Sequence, residues 1–175
     1  GWSMNPQRVI DVDEHGTASL DQRLRAARLC QEAGYRLGFH FDPMIEYPGW
    51  ETDYENMLEQ IFAAVDWRGL SWLSLGVLRQ TPGLKRAIRE RFPRTGLLTG
   101  EQVLCPDGKS RYFQPLRVAM YRKMVRWIRR SAPTVKIYLC MESRQVWEQV
   151  FGFAPACEKD LGNQMAPEAQ PTIHA

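Results

Sequence analysis

The chain has 175 residues, which suits one domain with one core. With 44% hydrophobic and 25% charged residues it is too apolar for a disordered chain. No apolar run approaches the roughly 20 residues of a membrane-spanning helix. The formal net charge is +3, but from Arg79 to Arg130 there are 14 Lys and Arg against three acids (Glu90, Glu101 and Asp107), leaving 9 basic and 17 acidic residues elsewhere. Such asymmetry suits either a polyanion partner or the solvated outer faces of helices, and charge alone does not separate the two.

In chain order, Trp2-Ser3-Met4-Asn5 reads as the end of a strand, followed by a loop through Asp11-Val12-Asp13-Glu14-His15-Gly16. Ser19 and Gln22 form a capping box that opens a helix with Leu20, Leu24, Ala27 and Cys30 on one face, and Gly34 stops it. Tyr35 to Phe41 reads as a short strand ended by Asp42-Pro43. A second capping box, Thr52 with Glu55, predicts a helix burying Tyr54, Leu58, Ile61, Phe62 and Val65. Leu70 to Gly76 is the third strand, and a helix runs from about Pro82 to Arg91. The turn signal Pro106-Asp107-Gly108-Lys109 separates two short extended runs and predicts a hairpin. The strongest helix spans Leu116 to about Arg130. Val135 to Cys140 is the last strand, and Ser143 to Val150 the last helix.

Strands alternating with helices imply a parallel sheet with right-handed crossovers. The predicted class is α/β: a partial TIM-like (β/α) barrel with parallel strands, outer helices and an inserted β-hairpin at about 96–115. Residues 1–160 are expected to be the C-terminal half of such a barrel, because the chain opens inside a strand and four strands are too few to close eight. A small open sheet is the structural alternative. Residues 161–175 are expected to be a disordered tail.

The cysteines Cys30, Cys105, Cys140 and Cys157 are widely spaced with no C-x-x-C pair. That pattern predicts no metal site and the reduced thiols of a cytoplasmic protein. Nor is there a basic segment followed by an apolar stretch to suggest a secretion signal. No G-x-S-x-G, P-loop or G-x-G-x-x-G is found.

In β/α barrels the working residues sit at the C-terminal strand ends. Here those ends carry Ser3 and Asn5, His40 and Asp42, Ser74, then Cys140, Glu142 and Ser143. His40 reads as a core histidine or as a functional one held in one tautomer by Asp42. Ser143 reads as an N-cap. Lys109, Arg111 and Tyr112 place two cations and an aromatic near one turn, a pairing that suits phosphate contact with base stacking, or a surface hairpin with Tyr112 packed on the barrel. Arg122, Arg126 and Arg129 form a basic stripe on the long helix, readable as a phosphate contact or a solvated face.

Five stretches together resemble the spore photoproduct lyase family: Trp2-Ser3-Met4-Asn5, Gly38-Phe39-His40-Phe41-Asp42-Pro43, Arg111-Tyr112-Phe113-Gln114-Pro115, Tyr121-Arg122-Lys123-Met124-Val125 and Tyr138-Leu139-Cys140-Met141-Glu142-Ser143. The resemblance implies a radical S-adenosylmethionine enzyme on a partial β/α barrel, using a 4Fe-4S cluster to cleave S-adenosylmethionine and restore two thymines from a dimer peculiar to spore DNA. It implies that Ser3, with Asn5, contacts S-adenosylmethionine. It also implies that Arg111 and Tyr112, with Lys109, contact the lesion, that the basic surface around Lys85–Arg94 and Arg122–Arg130, with Arg122 and Arg126, faces DNA, and that His40 and Asp42 support the site. The family's cluster motif, C-x-x-x-C-x-x-C, does not occur in this chain. The chain alone is therefore expected to be inactive and monomeric, with an N-terminal half supplied in cis or in trans. The alternative is a stand-alone, non-catalytic nucleic-acid-binding module.

Overall fold

A computed structural model describes residues 1–156; the predicted tail at 161–175 lies outside the described residues. Four parallel strands form the main sheet in the order β1 (Trp2–Ser3), β2 (Leu37–Met44), β3 (Leu70–Val77) and β7 (Ile137–Leu139). Helices connect them: α1 (Gln7–Asp13), α2 (Leu20–Glu32), α3 (Trp50–Ala64), α4 (Pro82–Arg91) and α5 (Gln114–Ser131), with α6 (Arg144–Phe151) closing the described chain. This is the predicted α/β architecture with parallel strands and outer helices.

Local chemistry explains most boundaries. The Ser19–Gln22 capping box is present in both directions, and Gly34 takes φ +86 beyond the end of α2. Thr81 caps α4 by accepting from the Leu84 amide, and the Ser143 side chain accepts from the Val146 amide to start α6.

Three differences from the sequence reading have a clear physical cause. The segment read as a loop before Gly16 contains α1, anchored by buried Val9 and Ile10. Seven residues with only two buried positions give too short a period to stand out. Strand β2 runs through Asp42-Pro43, joined by a cis peptide bond, rather than ending there. The Thr52–Glu55 capping box does not form, because α3 begins at Trp50 with Gly49 (φ +90) as its N-cap. Burial of Trp50 against Tyr54 and Trp127 draws the helix start forward.

The predicted hairpin is present as β5 (Gln102–Leu104) and β6 (Ser110–Tyr112). A further short strand, β4 (Arg79–Gln80), extends it into a three-stranded antiparallel sheet of order β4-β6-β5. Through β4 the hairpin is tied directly to the end of β3.

Successive strand residues point to opposite faces. Phe39, Phe41, Leu73 and Leu75 are all fully buried, in one cluster with Tyr54, Leu58, Met124 and Ile128 from the helices. Each such side chain contributes roughly 1.5–3 kcal/mol relative to exposure. The other face carries the polar residues.

Candidate functional site

The register of the main sheet sets Ser3, His40, Ser74 and Tyr138 side by side, one from each strand. The alternate positions on this face add Trp72, whose ring lies 4.6 Å from His40 and 5.9 Å from Tyr138. Gly38 makes room for that indole: a Cβ there would meet Trp72 at 2.5 Å. Ser74 is fully buried, and its Oγ has no hydrogen-bond partner. Ser3 and Asp42 line a cleft of about 680 Å³, together with Trp2, Glu14, His15 and Phe92.

At the strand ends a charged cluster closes this row. Asp42 accepts two 2.8 Å hydrogen bonds from the Arg79 guanidinium, which also lies 3.6 Å from Cys140 Sγ. The Asp42 hydrogen bond holds Arg79 above its ordinary pKa, while burial and the adjacent Asp42 push the Cys140 thiol up. A Cβ at Gly76 would lie 2.7 Å from Asp42 Cγ, so glycine is needed for the pair to sit here.

Arg79 faces Arg111 across the antiparallel ladder. Arg111 is buried; it donates two 2.7 Å bonds to Asp107 and a longer one, 3.5 Å, to Met141 O. The Arg111 guanidinium holds the Asp107 carboxyl well below the usual carboxylate range. Arg117 pairs with Glu142 (Nε–Oε1 3.1 Å), and both side chains are nearly inaccessible. Three arginines thus grip three successive residues, Cys140, Met141 and Glu142. Met141 occupies the left-handed region at φ 53, uncommon for a non-glycine residue.

Three buried tyrosines satisfy backbone amides around the same ends. Tyr54 accepts from Ile45 (2.9 Å), Tyr112 from Glu46 (3.1 Å) and Tyr121 from Val77 (3.0 Å). Tyr54 donates to Asn5 Oδ1, and Asn5 Nδ2 donates to Glu14, which pairs with Arg23. Arg23 in turn donates to Ser3 O at 3.0 Å. These bonds tie the strand ends to neighbouring helices and loops and pair the buried polar groups they join.

The structure therefore brings Ser3, His40 and Asp42 to one face and adds Arg79 and Cys140. Asn5 is 2% exposed, with both amide atoms engaged. Tyr112 is packed in the core rather than exposed for stacking, the second of its two sequence readings. Lys109 lies near Asp107 and Met141 Sδ. Arg122 is tied to α6 through Gln149 O (2.6 and 3.0 Å), and Arg126 is exposed. Sequence reasoning missed Arg79, whose only signal is its place two residues past the end of β3. It also missed the Arg117–Glu142–Tyr121 network, for which a single sequence holds none.

The family model for spore photoproduct lyase matches residues 1–114. Spore photoproduct lyase of Geobacillus sp. (strain Y412MC61) is 38% identical over 98 residues, covering 55% of this chain and 29% of the relative. That of Bacillus subtilis (strain 168) is 37% identical over 103 residues, covering 58% and 30%. Among solved structures, spore photoproduct lyase complexed with dinucleoside spore photoproduct superposes with a TM-score of 0.68 at 31% identity, over 79% of this chain and 43% of that one. A variant with bound AdoMet and dinucleoside spore photoproduct gives 0.69 at 31% identity, with the same coverage. The match thus spans less than a third of the length of these curated relatives. A family model over well more than half the residues, with a shared fold at this level of identity, leaves one assignment: the chain belongs to the spore photoproduct lyase family.

Proposed function

We propose that the chain supplies the cofactor-facing and lesion-facing side of a radical S-adenosylmethionine enzyme that repairs the spore thymine dimer in DNA. The observation that carries this reading is the row Ser3, His40, Ser74 and Tyr138 across four parallel strands, beside a cleft of about 680 Å³ and joined to the hairpin sheet through Arg79. Relatives of the same fold bind S-adenosylmethionine and the dinucleoside lesion.

The residues fit one of the two groups the family uses. Ser3 is exposed at the cleft wall, and Ser74 Oγ is buried without a partner, as suits a ligand bringing its own polar atoms. S-adenosylmethionine, when bound, supplies the radical chemistry. The residues do not fit a 4Fe-4S cluster: the cysteines lack C-x-x-x-C-x-x-C spacing. No group of three or more His, Cys, Asp and Glu among the described residues is placed to hold a metal.

Within this reading Ser3 hydrogen-bonds the cofactor. Asn5, engaged by Tyr54 and Glu14, is a positioning residue that fixes the strand end carrying Ser3. His40 and Asp42 shape the site, the first over Trp72 and the second through Arg79. Lys109 meets the lesion from the turn, Arg111 holds that turn in place through its two bonds to Asp107, and Tyr112 anchors the hairpin through the Glu46 amide.

The test is binding by the 175-residue chain. Calorimetric titration with S-adenosylmethionine should show an affinity that Ser3→Ala reduces several-fold. Fluorescence anisotropy should show tighter binding to an oligonucleotide containing spore photoproduct than to its undamaged twin, with the preference reduced in Arg111→Ala. Equal affinity for both oligonucleotides, with no cofactor binding, would overturn this reading in favour of a non-catalytic nucleic-acid-binding module.

A further inference from the structure

Outside β4 and the hairpin, the cations between Arg79 and Arg130 fall into two groups, those on α5 and those on or just after α4. Those on α5 are mostly engaged: Arg122 donates to Gln149 O, Arg129 to the carbonyl oxygens of Ala132 and Val135, and Lys123 and Arg130 pair with Glu51 and Glu55. On α4, Arg86 has Glu90 3.9 Å away, whereas Lys85, Arg89 and Arg91 have no acidic partner among the described residues, and neither does Arg94 just beyond. The helix buries none of its own residues.

The placement of α4 gives these cations a direction. Ile88 and Phe92 turn toward α1 and, with Val12 and His15, line a cleft of about 490 Å³ that also contains Arg91 and Arg94. The His15 and Phe92 rings lie 5.6 Å apart. Both residues, with Asp13, also line the cleft that holds Ser3 and Asp42. The two clefts therefore share one wall. A polynucleotide strand seated at the strand ends can continue over the His15–Phe92 pair onto Arg91 and Arg94. Asp13 would repel a phosphate at the shared wall, which places the phosphate contacts at the α4 end.

We infer that α4 and the turn after it, through Lys85, Arg89, Arg91 and Arg94, hold the phosphate backbone of the DNA strand that enters the strand-end site, and that α5 does not. The inference rests on the nucleic-acid reading above. Its physical basis is that a cation without a protein partner gives up no existing ion pair on meeting phosphate, and each contact releases condensed counterions. An exposed basic helix also suits an anionic membrane surface, but here Ile88 and Phe92 are directed into the cleft against α1.

The test uses the full chain with a fluorescein-labelled, undamaged DNA oligonucleotide, measuring affinity by anisotropy across a salt series. The K85Q/R89Q/R91Q/R94Q variant should lower the slope of log affinity against log salt by about 3 to 4, near 0.9 per lost phosphate contact. R122Q/R126Q should change it by less than about 1. The thermal melt of the α4 variant should match the parent, since none of its four side chains is buried. An unchanged slope in the α4 variant, or a larger fall in the α5 variant, overturns the α4 assignment alone. Failure of the unsubstituted chain to bind DNA at low salt overturns the nucleic-acid reading with it. An α4 variant that loses binding to phosphatidylserine vesicles while its DNA slope is unchanged would make α4 a membrane-surface helix instead.

Discussion

The guanidinium of Arg79 lies end-on against the carboxylate of Asp42, with Nη1–Oδ1 and Nη2–Oδ2 both at 2.8 Å. The pair joins the hairpin sheet to the end of β2 and places a third group, Cys140 Sγ, beside the same guanidinium. Both side chains are mostly shielded, at 19% and 16% exposure. Removing one partner should therefore cost more than breaking a surface ion pair and less than breaking a fully buried one.

Removing either partner should leave the other poorly solvated. Asp42→Ala and Arg79→Met should each cost about 1–3 kcal/mol. Urea denaturation of the singles and the double should give a coupling energy of similar size. A coupling energy near zero would show that the pair is not a structural link.

Gly76 is predicted to be intolerant for one local reason. Its substitution by Ala would place a methyl group 2.7 Å from Asp42 Cγ. Overpacking of this kind costs about 1–3 kcal/mol. The cost should shrink in an Asp42→Ala background, which denaturation midpoints of the three variants will reveal; an equal cost in both backgrounds would place the strain elsewhere.

Glu142 accepts from Arg117 and from the Tyr121 hydroxyl at 2.9 Å, and its side chain is 2% exposed. Glu142→Ala leaves a buried guanidinium without its counter-charge and should destabilise by about 3–5 kcal/mol. Glu142→Gln keeps the acceptor for Tyr121 and should cost less. Thermal unfolding that ranks the two in the opposite order would remove the ion pair from the account.

The buried tyrosines predict an alkaline transition. Burial pushes the Tyr112 hydroxyl from its ordinary 10.0 up to about 12, and raises those of Tyr54 and Tyr121 as well. Above pH 10.0 the unfolded chain loses these protons while the folded chain keeps them. The folded state then binds more protons, so stability falls as pH rises. The contribution of Tyr112 is complete below pH 10.0 and is lost as pH climbs toward about 12. Urea midpoints should decline across that interval, less steeply in Tyr112→Phe. A flat midpoint would contradict the burial-driven shift.

Much of the architecture was readable from residue order. Ser19–Gln22 and Ser143 act at their helix starts through bonds spanning a few residues, and such bonds depend only on local sequence. The βα alternation and the hairpin turn at Pro106-Asp107-Gly108 are equally local. Where a local signal competed with burial, burial decided: the Thr52–Glu55 box lost to Trp50 packing at the start of α3.

The sequence by itself determined helices α2 to α6, the four strands of the main sheet, the hairpin and, through five ordered stretches, the family, while α1 and β4 escaped it. It put Ser3, His40 and Asp42 at strand ends, which holds for Ser3; His40 and Asp42 lie within β2, because that strand runs on through the Asp42-Pro43 bond to Met44. Only the tertiary structure decided what those residues touch. Asp42 meets Arg79 across 37 residues, Tyr112 meets the Glu46 amide across 66, and the cations of α5 find partners that those of α4 lack. Such pairings depend on the parallel register and on how helices pack over the sheet, and no spacing within one sequence encodes them.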